Sequence, residues 1–389
     1  MTQIRIAHIT TIDLSLRYLL LNQLTALQQA GYSIIGISTA GPDVPVIESA
    51  GIRHIPVAMT RNFTPLADLG TLWHLYRVMR RERFTIVHTH TPKPGLLGQV
   101  AARLAGVPIV VNTLHGFYFH DRMPWMWRRF YILMERIAAQ CSDVILSQNH
   151  DDIQTAIRER ICPPEKIKFL GNGIDLERFD RARLDPRTIQ DRRRQWNIPE
   201  DALVIGFVGR LVREKGVLEL MQAMQQVLSQ IPNTRLLVIG PVDGEKRDAL
   251  TPAIAQEYGI AHACIFTGLQ TEMPEFYALM DLFVLPSYRE GFPRTPMEAS
   301  AMGVPCIVTD IRGCRETVEN GRNGLLVPLY DNPALVNAML ELLTDRNKAT
   351  HMGMEGRRIA IERFDERQVF VKVKAEYARL LAECGLSAQ

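Results

Sequence analysis

Short runs of β-branched and apolar residues alternate along this chain with longer stretches whose apolar positions recur three and four residues apart. Ile4–Ile9, Ser33–Ser38, Phe84–Val87, Val107–Val111 and Val144–Leu146 read as buried strands, with helices at Leu16–Ala30, Pro65–Arg83, Gly95–Ala105 and Trp125–Gln140 between them. Strands separated by helical crossovers form a parallel sheet. The rhythm breaks between Gly171 and Asp201 and restarts at Leu203–Val208, followed by strands near Leu236–Ile239, Cys264–Thr267, Leu282–Leu285 and Cys306–Thr309. Helical patterns at Val217–Ile231, Met273–Met280, Pro296–Met302 and Pro333–Leu343 complete this second series. The expected organisation is an α/β domain at 1–175, a linker at 176–200, a second α/β domain at 201–365 and a last helix at 366–389 across the junction. Parallel sheets bind ligands beyond the carboxyl ends of their strands, so a cleft between two Rossmann-like domains is the expected site.

Composition narrows the class without naming a chemistry. The 389 residues are 47% apolar and 22% charged, with 26 Gly and 22 Pro, which is ordinary for a globular chain. No apolar run reaches the 18 or so residues of a membrane span, and Arg5, Asp13 and Arg17 interrupt the place where a signal peptide has its apolar centre. Six cysteines without a C-x-x-C pair suggest neither zinc nor a disulfide framework, and a cytoplasmic location is expected. The net charge of +3 is too small for a nucleic-acid partner, but the basic excess lies in the first half and the Arg-rich stretch after it. The nucleotide fingerprints fail: Leu176 replaces the third glycine after Gly171 and Gly173, and no P-loop occurs.

Two constellations in the second series carry chemistry. Gly209-Arg210-Leu211-Val212-Arg213-Glu214-Lys215-Gly216 joins a strand to a helix, so Lys215 falls at a helix start, where the dipole disfavours a cation. A bound anion would account for both Arg210 and Lys215; an ordinary solvated basic loop is the other reading. In Ser287–Glu298, Thr295 as N-cap, Pro296 at the first position and Glu298 at the third make a capping box, which gives Glu298 a structural role. Glu290 has no such role. The free N–H groups of that helix start would add to a phosphate cradle.

In these features the sequence resembles glycosyltransferase family 4 over nearly its whole length: GRLVREKG, the E-x7-E pair Glu290 and Glu298, GNGID and TLHGF occur in that order. The resemblance implies a GT-B fold and a retaining transferase without metal or other cofactor, using a nucleotide-sugar donor, with a UDP-sugar favoured. It implies that Arg210 and Lys215 neutralise the donor diphosphate, that Glu298 bonds the ribose, and that Glu290 faces the sugar. Backbone N–H groups around Gly291, Phe292, Pro293, Arg294 and Thr295 would hold the same donor, and His115 would reach the sugar or leaving phosphate. One departure is the loop Thr10–Ser15, which lacks the glycine pair many members carry after the first strand.

The acceptor is read from the first domain. His88–Gly95 looks like a strand-to-helix loop that brings His90 and Lys93 to the cleft edge. Arg122–Tyr131 contains Trp125, Trp127, Arg128 and Arg129, which is either helix core or a surface suited to an anionic membrane. The second reading favours a lipid-linked saccharide acceptor and peripheral attachment at the cytoplasmic membrane face. Alternatives are a GT-B nucleotide-sugar epimerase and a nucleotide-sugar-binding regulator without turnover.

Overall fold

The computed structural model describes residues 3–60, 63–120, 123–244 and 248–386. The apolar runs form strands β1 (Arg5–Ile12), β2 (Ser33–Thr39), β3 (Arg53–Pro56), β4 (Ile86–His90), β5 (Ile109–Leu114), β6 (Val144–Ser147) and β7 (Ile167–Phe169). They pair in parallel in the order β3-β2-β1-β4-β5-β6-β7. The second series gives β8 (Leu203–Val208), β9 (Thr234–Ile239), β10 (Cys264–Gly268), β11 (Leu282–Leu285), β12 (Cys306–Thr309) and β13 (Gly324–Val327), again all parallel, in the order β10-β9-β8-β11-β12-β13. Each order reverses once, beside β1 and beside β8. At such a reversal the loops leaving neighbouring strands diverge and open a crevice at their carboxyl ends.

The chain divides into two compact units, residues 1–171 with 367–389, and residues 172–366. Their cores are separate. In the first, Ile6, Leu24, Ile86 and Val111 pack on one face of the sheet and Ala7, Ile37, Leu75 and Val110 on the other. In the second, Val204, Phe207, Leu236, Phe283 and Ile307 centre a cluster completed by Leu220, Met297 and Met339 from surrounding helices.

The division differs from the expected one in two places. Stretch 176–200 is part of the second unit: Phe179 and Ile198 join its core, and it contains helix Pro186–Gln195, started by the Asp185 carboxylate accepting from the Arg187 N–H. Ile189 is the one apolar side chain of that helix besides its leading proline, which leaves almost no periodicity to read. The last helix, Glu366–Glu383, belongs from Arg367 onward to the first unit, where Val369, Val373, Tyr377, Leu380 and Leu381 join the core. Helix Arg346–Arg363 escaped the pattern because glycines make its contacts: a Cβ at Gly353 would stand 2.1 Å from the Gly303 carbonyl oxygen.

Candidate functional site

In the second unit the loops after β8 and β11 meet backbone to backbone. Gly216 has φ +71°, and a Cβ there would lie 2.0 Å from the Pro286 carbonyl oxygen, so both the turn and the contact demand glycine. Tyr288 donates its N–H to the Glu214 carbonyl at 2.8 Å, a second tie between the loops. On the far side Gly313, at φ +79°, leaves room for the Gly291 carbonyl oxygen, which a Cβ would approach to 2.3 Å. GNGID contributes as well, since the Asn172 side chain donates to the Phe292 carbonyl at 2.9 Å.

These loops bring the two predicted charges together. Lys215 Nζ lies 2.6 Å from Glu290 Oε1, with side chains only 20% and 10% exposed. Lys215 sits in the 3-10 turn Arg213–Lys215, and Gly216 separates it from helix Val217–Gln230, so it stands just ahead of the α-helix rather than in its first turn. Arg210 is held by Asp243 at 2.7 Å and Glu214 at 3.0 Å. The bland solvated-loop reading therefore fails for both cations: each is fixed by carboxylates in a defined direction.

The helix bearing Glu298 runs from Arg294 to Ala301, with Pro293 before it and no side-chain cap. The expected capping box is thus corrected. Thr295 lies inside the helix, and Pro293 has no N–H for a glutamate to reach. Glu298 instead accepts from the buried Tyr277 hydroxyl at 2.8 Å, and burial pushes its carboxyl above the ordinary range against the pull of Arg294 and that hydrogen bond. Gly291, Phe292 and Pro293 form the approach to this helix, and Arg294 and Thr295 begin its first turn, whose N–H groups have no intrahelical acceptor. Glu298→Gln keeps an acceptor for Tyr277. It should melt within a few degrees of the parent while binding a nucleoside diphosphate at least fivefold more weakly in calorimetry; unchanged affinity would leave Glu298 a core residue only.

In the first unit β4 and β5 run further than their apolar runs, and this corrects the reading of His88–Gly95 as a loop. His88, Thr89 and His90 are strand residues, and both histidines are fully buried. Polar groups survive burial only when bonded, and these are. His88 contacts the Thr113 and Tyr377 hydroxyls at 2.7 and 2.5 Å; His90 contacts His8 at 3.0 Å and His115 at 3.2 Å. His90 is therefore no acceptor-facing surface residue but a support beneath half-buried His115. Burial lowers the His115 imidazole to about 4, against a hydrogen bond with Gln148, so it is neutral at pH 7. Lys93 is corrected similarly, its Nζ pairing with Asp68 at 2.6 Å and contacting Thr60 at 2.7 Å. The glycine-free stretch Thr10–Ser15 is not a loop: Thr10–Ile12 end β1 and Asp13–Ser15 are already helical, with the Asp13 carboxylate accepting the Asp43 N–H at 2.8 Å and Thr11 bonding Thr91 at 3.1 Å.

The aromatic-basic stretch divides between the two readings given for it. Arg122 lies outside the described residues. Arg128 packs inward, paired with Glu159 at 2.7 Å, whereas Trp125, Trp127 and Arg129 are exposed, Trp125 by 73%. The apolar surface continues through Phe63, whose ring meets Phe130 at 5.5 Å, into helix Pro65–Glu82. There exposed Leu66, Leu69 and Trp73 lead, at helical spacing, to exposed Arg77, Arg80 and Arg81. Among the described residues no helix is long and apolar enough to cross a membrane.

Comparison with known proteins adds relatives to this geometry. The family model described as Glycosyltransferase Family 4 matches residues 18–178, and that described as Glycosyl transferases group 1 matches 188–359. The chain is 31% identical over 309 residues, 79% of either chain, to the UDP-Gal:alpha-D-GlcNAc-diphosphoundecaprenol alpha-1,3-galactosyltransferase of Escherichia coli. It is 28% identical over 387 residues, 97% of this chain and 98% of the other, to the capsular polysaccharide biosynthesis glycosyltransferase CapM of Staphylococcus aureus. Among solved structures, HepE of Anabaena in complex with UDP and glucose superposes with a TM-score of 0.82 at 19% identity, over 97% of this chain and all 100% of that one.

Proposed function

This chain belongs to glycosyltransferase family 4, and on that premise we propose that it is a retaining enzyme moving a hexosyl or N-acetylhexosaminyl group from a UDP-sugar to a lipid-linked saccharide. It is a glycosyltransferase of polysaccharide or glycolipid assembly, built on two Rossmann-like units of GT-B type. The observation that carries the finer reading is the Lys215–Glu290 pair, held by loops whose close backbone approach only glycine allows.

Breaking a sugar–phosphate bond puts negative charge on the departing diphosphate, and groups already aimed at that charge stabilise it most. Arg210 and Lys215 are positioned by their carboxylates before any donor arrives, so little ordering remains at the moment of reaction. Together with the N–H groups of Gly291, Phe292, Arg294 and Thr295 they form the diphosphate site. Glu298 takes the ribose and Glu290 faces the sugar. The departing phosphate helps to deprotonate the acceptor on the face it leaves. Neutral His115 is assigned to the sugar or leaving phosphate as a hydrogen-bonding group. UDP as the donor nucleotide is supported by the relative that uses UDP-Gal and by the HepE complex, and a lipid-linked acceptor by the diphosphoundecaprenol substrate in that same relative's name.

The test is release of nucleotide from UDP-, GDP- and ADP-sugars with and without a crude lipid extract. One UDP-sugar should be consumed, faster with lipid. Consumption of only a GDP- or ADP-sugar would overturn the donor assignment, and an equal rate without lipid the acceptor.

The exposed apolar-basic surface supports docking on an anionic membrane, each basic residue near the lipid contributing about 1 kcal/mol. The chain should co-sediment with phosphatidylglycerol vesicles at low salt and leave them at high salt. Trp125→Ala with Arg129→Glu should reduce the bound fraction severalfold without moving nucleotide affinity. Equal sedimentation of both would remove this surface from the account.

A further inference from the structure

Beneath His115 lies a buried chain of polar groups that ends on the last helix. Tyr377 Oη is 2.5 Å from His88 Nδ1 and 3.3 Å from His8 Nε2. His8 Nδ1 is 3.0 Å from His90 Nε2, and His90 Nδ1 is 3.2 Å from His115 Nε2. His8, His88, His90 and Tyr377 have essentially no exposed surface. Burial also lowers all four imidazoles, His8 to about 3, so each ring is neutral, with one N–H and one bare nitrogen.

His8, His88 and His90 place three ring nitrogens within 4.8 Å of one another, a spacing a metal ion could use. The rings argue otherwise. His88 and His90 stack at 4.3 Å with 25° between their planes, which sets their in-plane lone pairs side by side, and both nitrogens of His88 already face hydroxyls.

In a line of neutral imidazoles the hydrogen bonds must all run the same way, because each ring that donates from one nitrogen accepts at the other. The direction follows from the hydroxyl. An O–H donor makes a shorter bond than an N–H donor, so Tyr377 donates across the 2.5 Å contact to His88 and accepts across the 3.3 Å contact from His8 Nε2. His8 Nδ1 then accepts from His90 Nε2, and His90 Nδ1 accepts from His115 Nε2. We infer that Tyr377, through His8 and His90, is a positioning residue that holds His115 as the Nε2–H tautomer, which leaves its Nδ1 without a proton and able only to accept. The inference rests on the reading of His115 as the group that meets the sugar or leaving phosphate.

Tyr377→Phe tests it, keeping the ring in the core and deleting only the hydroxyl. The buried His8 N–H then has no acceptor, an arrangement proteins rarely tolerate, so every bond in the line reverses and His115 becomes the Nδ1–H tautomer. In ¹⁵N-histidine-labelled protein, protonated and bare ring nitrogens resonate far apart, and the His115 signals are assigned by their loss in His115→Asn. The parent should show His115 protonated at Nε2, and Tyr377→Phe should show it protonated at Nδ1. With the best donor, turnover should fall roughly tenfold or more while KM for that donor stays within about twofold, as loss of one oriented hydrogen bond made in the transition state predicts.

A parent His115 protonated at Nδ1, or exchanging between both forms, overturns the inference without any variant. So does an unmoved His115 tautomer in a folded Tyr377→Phe protein, or one zinc per chain in the purified parent. The spectrum is independent of turnover: a tautomer that inverts on Tyr377→Phe, in a protein whose parent transfers no sugar, would uphold the positioning chain and reject the enzymatic reading instead.

Discussion

Lys215→Ala is expected to weaken UDP binding by roughly ten- to a hundredfold, the loss of one charge-assisted hydrogen bond at about 1.5 to 3 kcal/mol. The effect should exceed that of Arg210→Ala. Removing Lys215 leaves the nearly buried Glu290 carboxylate unpaired 2.6 Å from where the ammonium stood, so the site becomes repulsive to a diphosphate. Arg210 is more exposed, at 38% against 20% for Lys215, so more of its charge is screened by water. Calorimetric titration with UDP decides between them. Lys215→Met, which keeps the stem, separates charge from packing: if it binds as the parent does, the diphosphate site lies elsewhere.

The second large effect is on stability in mild acid. His8, His88, His90 and His115 are all held below 6.5 by burial, and His54 is lowered for the same reason. The unfolded chain therefore binds protons as pH drops below 6.5 while the folded chain refuses them, and stability present above that pH is lost on the way toward 4. Glu135, pushed up to about 7, and Glu298, also raised, take up protons in the folded chain and offset part of this. A net uptake of two to three protons on unfolding costs about 3 to 4 kcal/mol per pH unit near pH 5. The urea midpoint should fall steeply from pH 6.5 to 4.5. His8→Asn should make that fall shallower by about one proton. A flat midpoint over this range would mean the histidines are charged in the fold.

The sequence made the second unit's site legible because its chemistry lies in loops that glycine and proline punctuate. Arg210, Lys215, Glu290 and Glu298 stand beside strand ends that apolar runs mark clearly, and the structure joins Lys215 to Glu290 as one pair. What the sequence hid is tertiary. The capping box around Thr295 satisfied local rules, but Tyr277, twenty-one residues earlier, gives Glu298 its partner. His88 and His90 looked like loop residues because polar side chains end an apolar run; the hydrogen-bond partner that makes His88 tolerable in a strand is Tyr377, from the far end of the chain. Arg128 and Arg129 are neighbours in sequence and opposites in structure, since a helix turns one inward to Glu159 and the other to solvent. Strand and helix periods locate elements; they do not say which distant element completes a buried polar group.

The most direct measurement of the central claim is the fate of the sugar itself. The full chain is incubated with a UDP-sugar radiolabelled in the sugar and a polyprenyl-diphosphate-linked saccharide, the organic phase is extracted, and the anomeric proton of the product is read by NMR. The account predicts label entering the lipid phase one for one with UDP released, with the donor's α configuration kept and Lys215→Ala supplying almost none. Label that leaves UDP only as free sugar, at a rate indifferent to the lipid acceptor, or a product of inverted configuration, would contradict it.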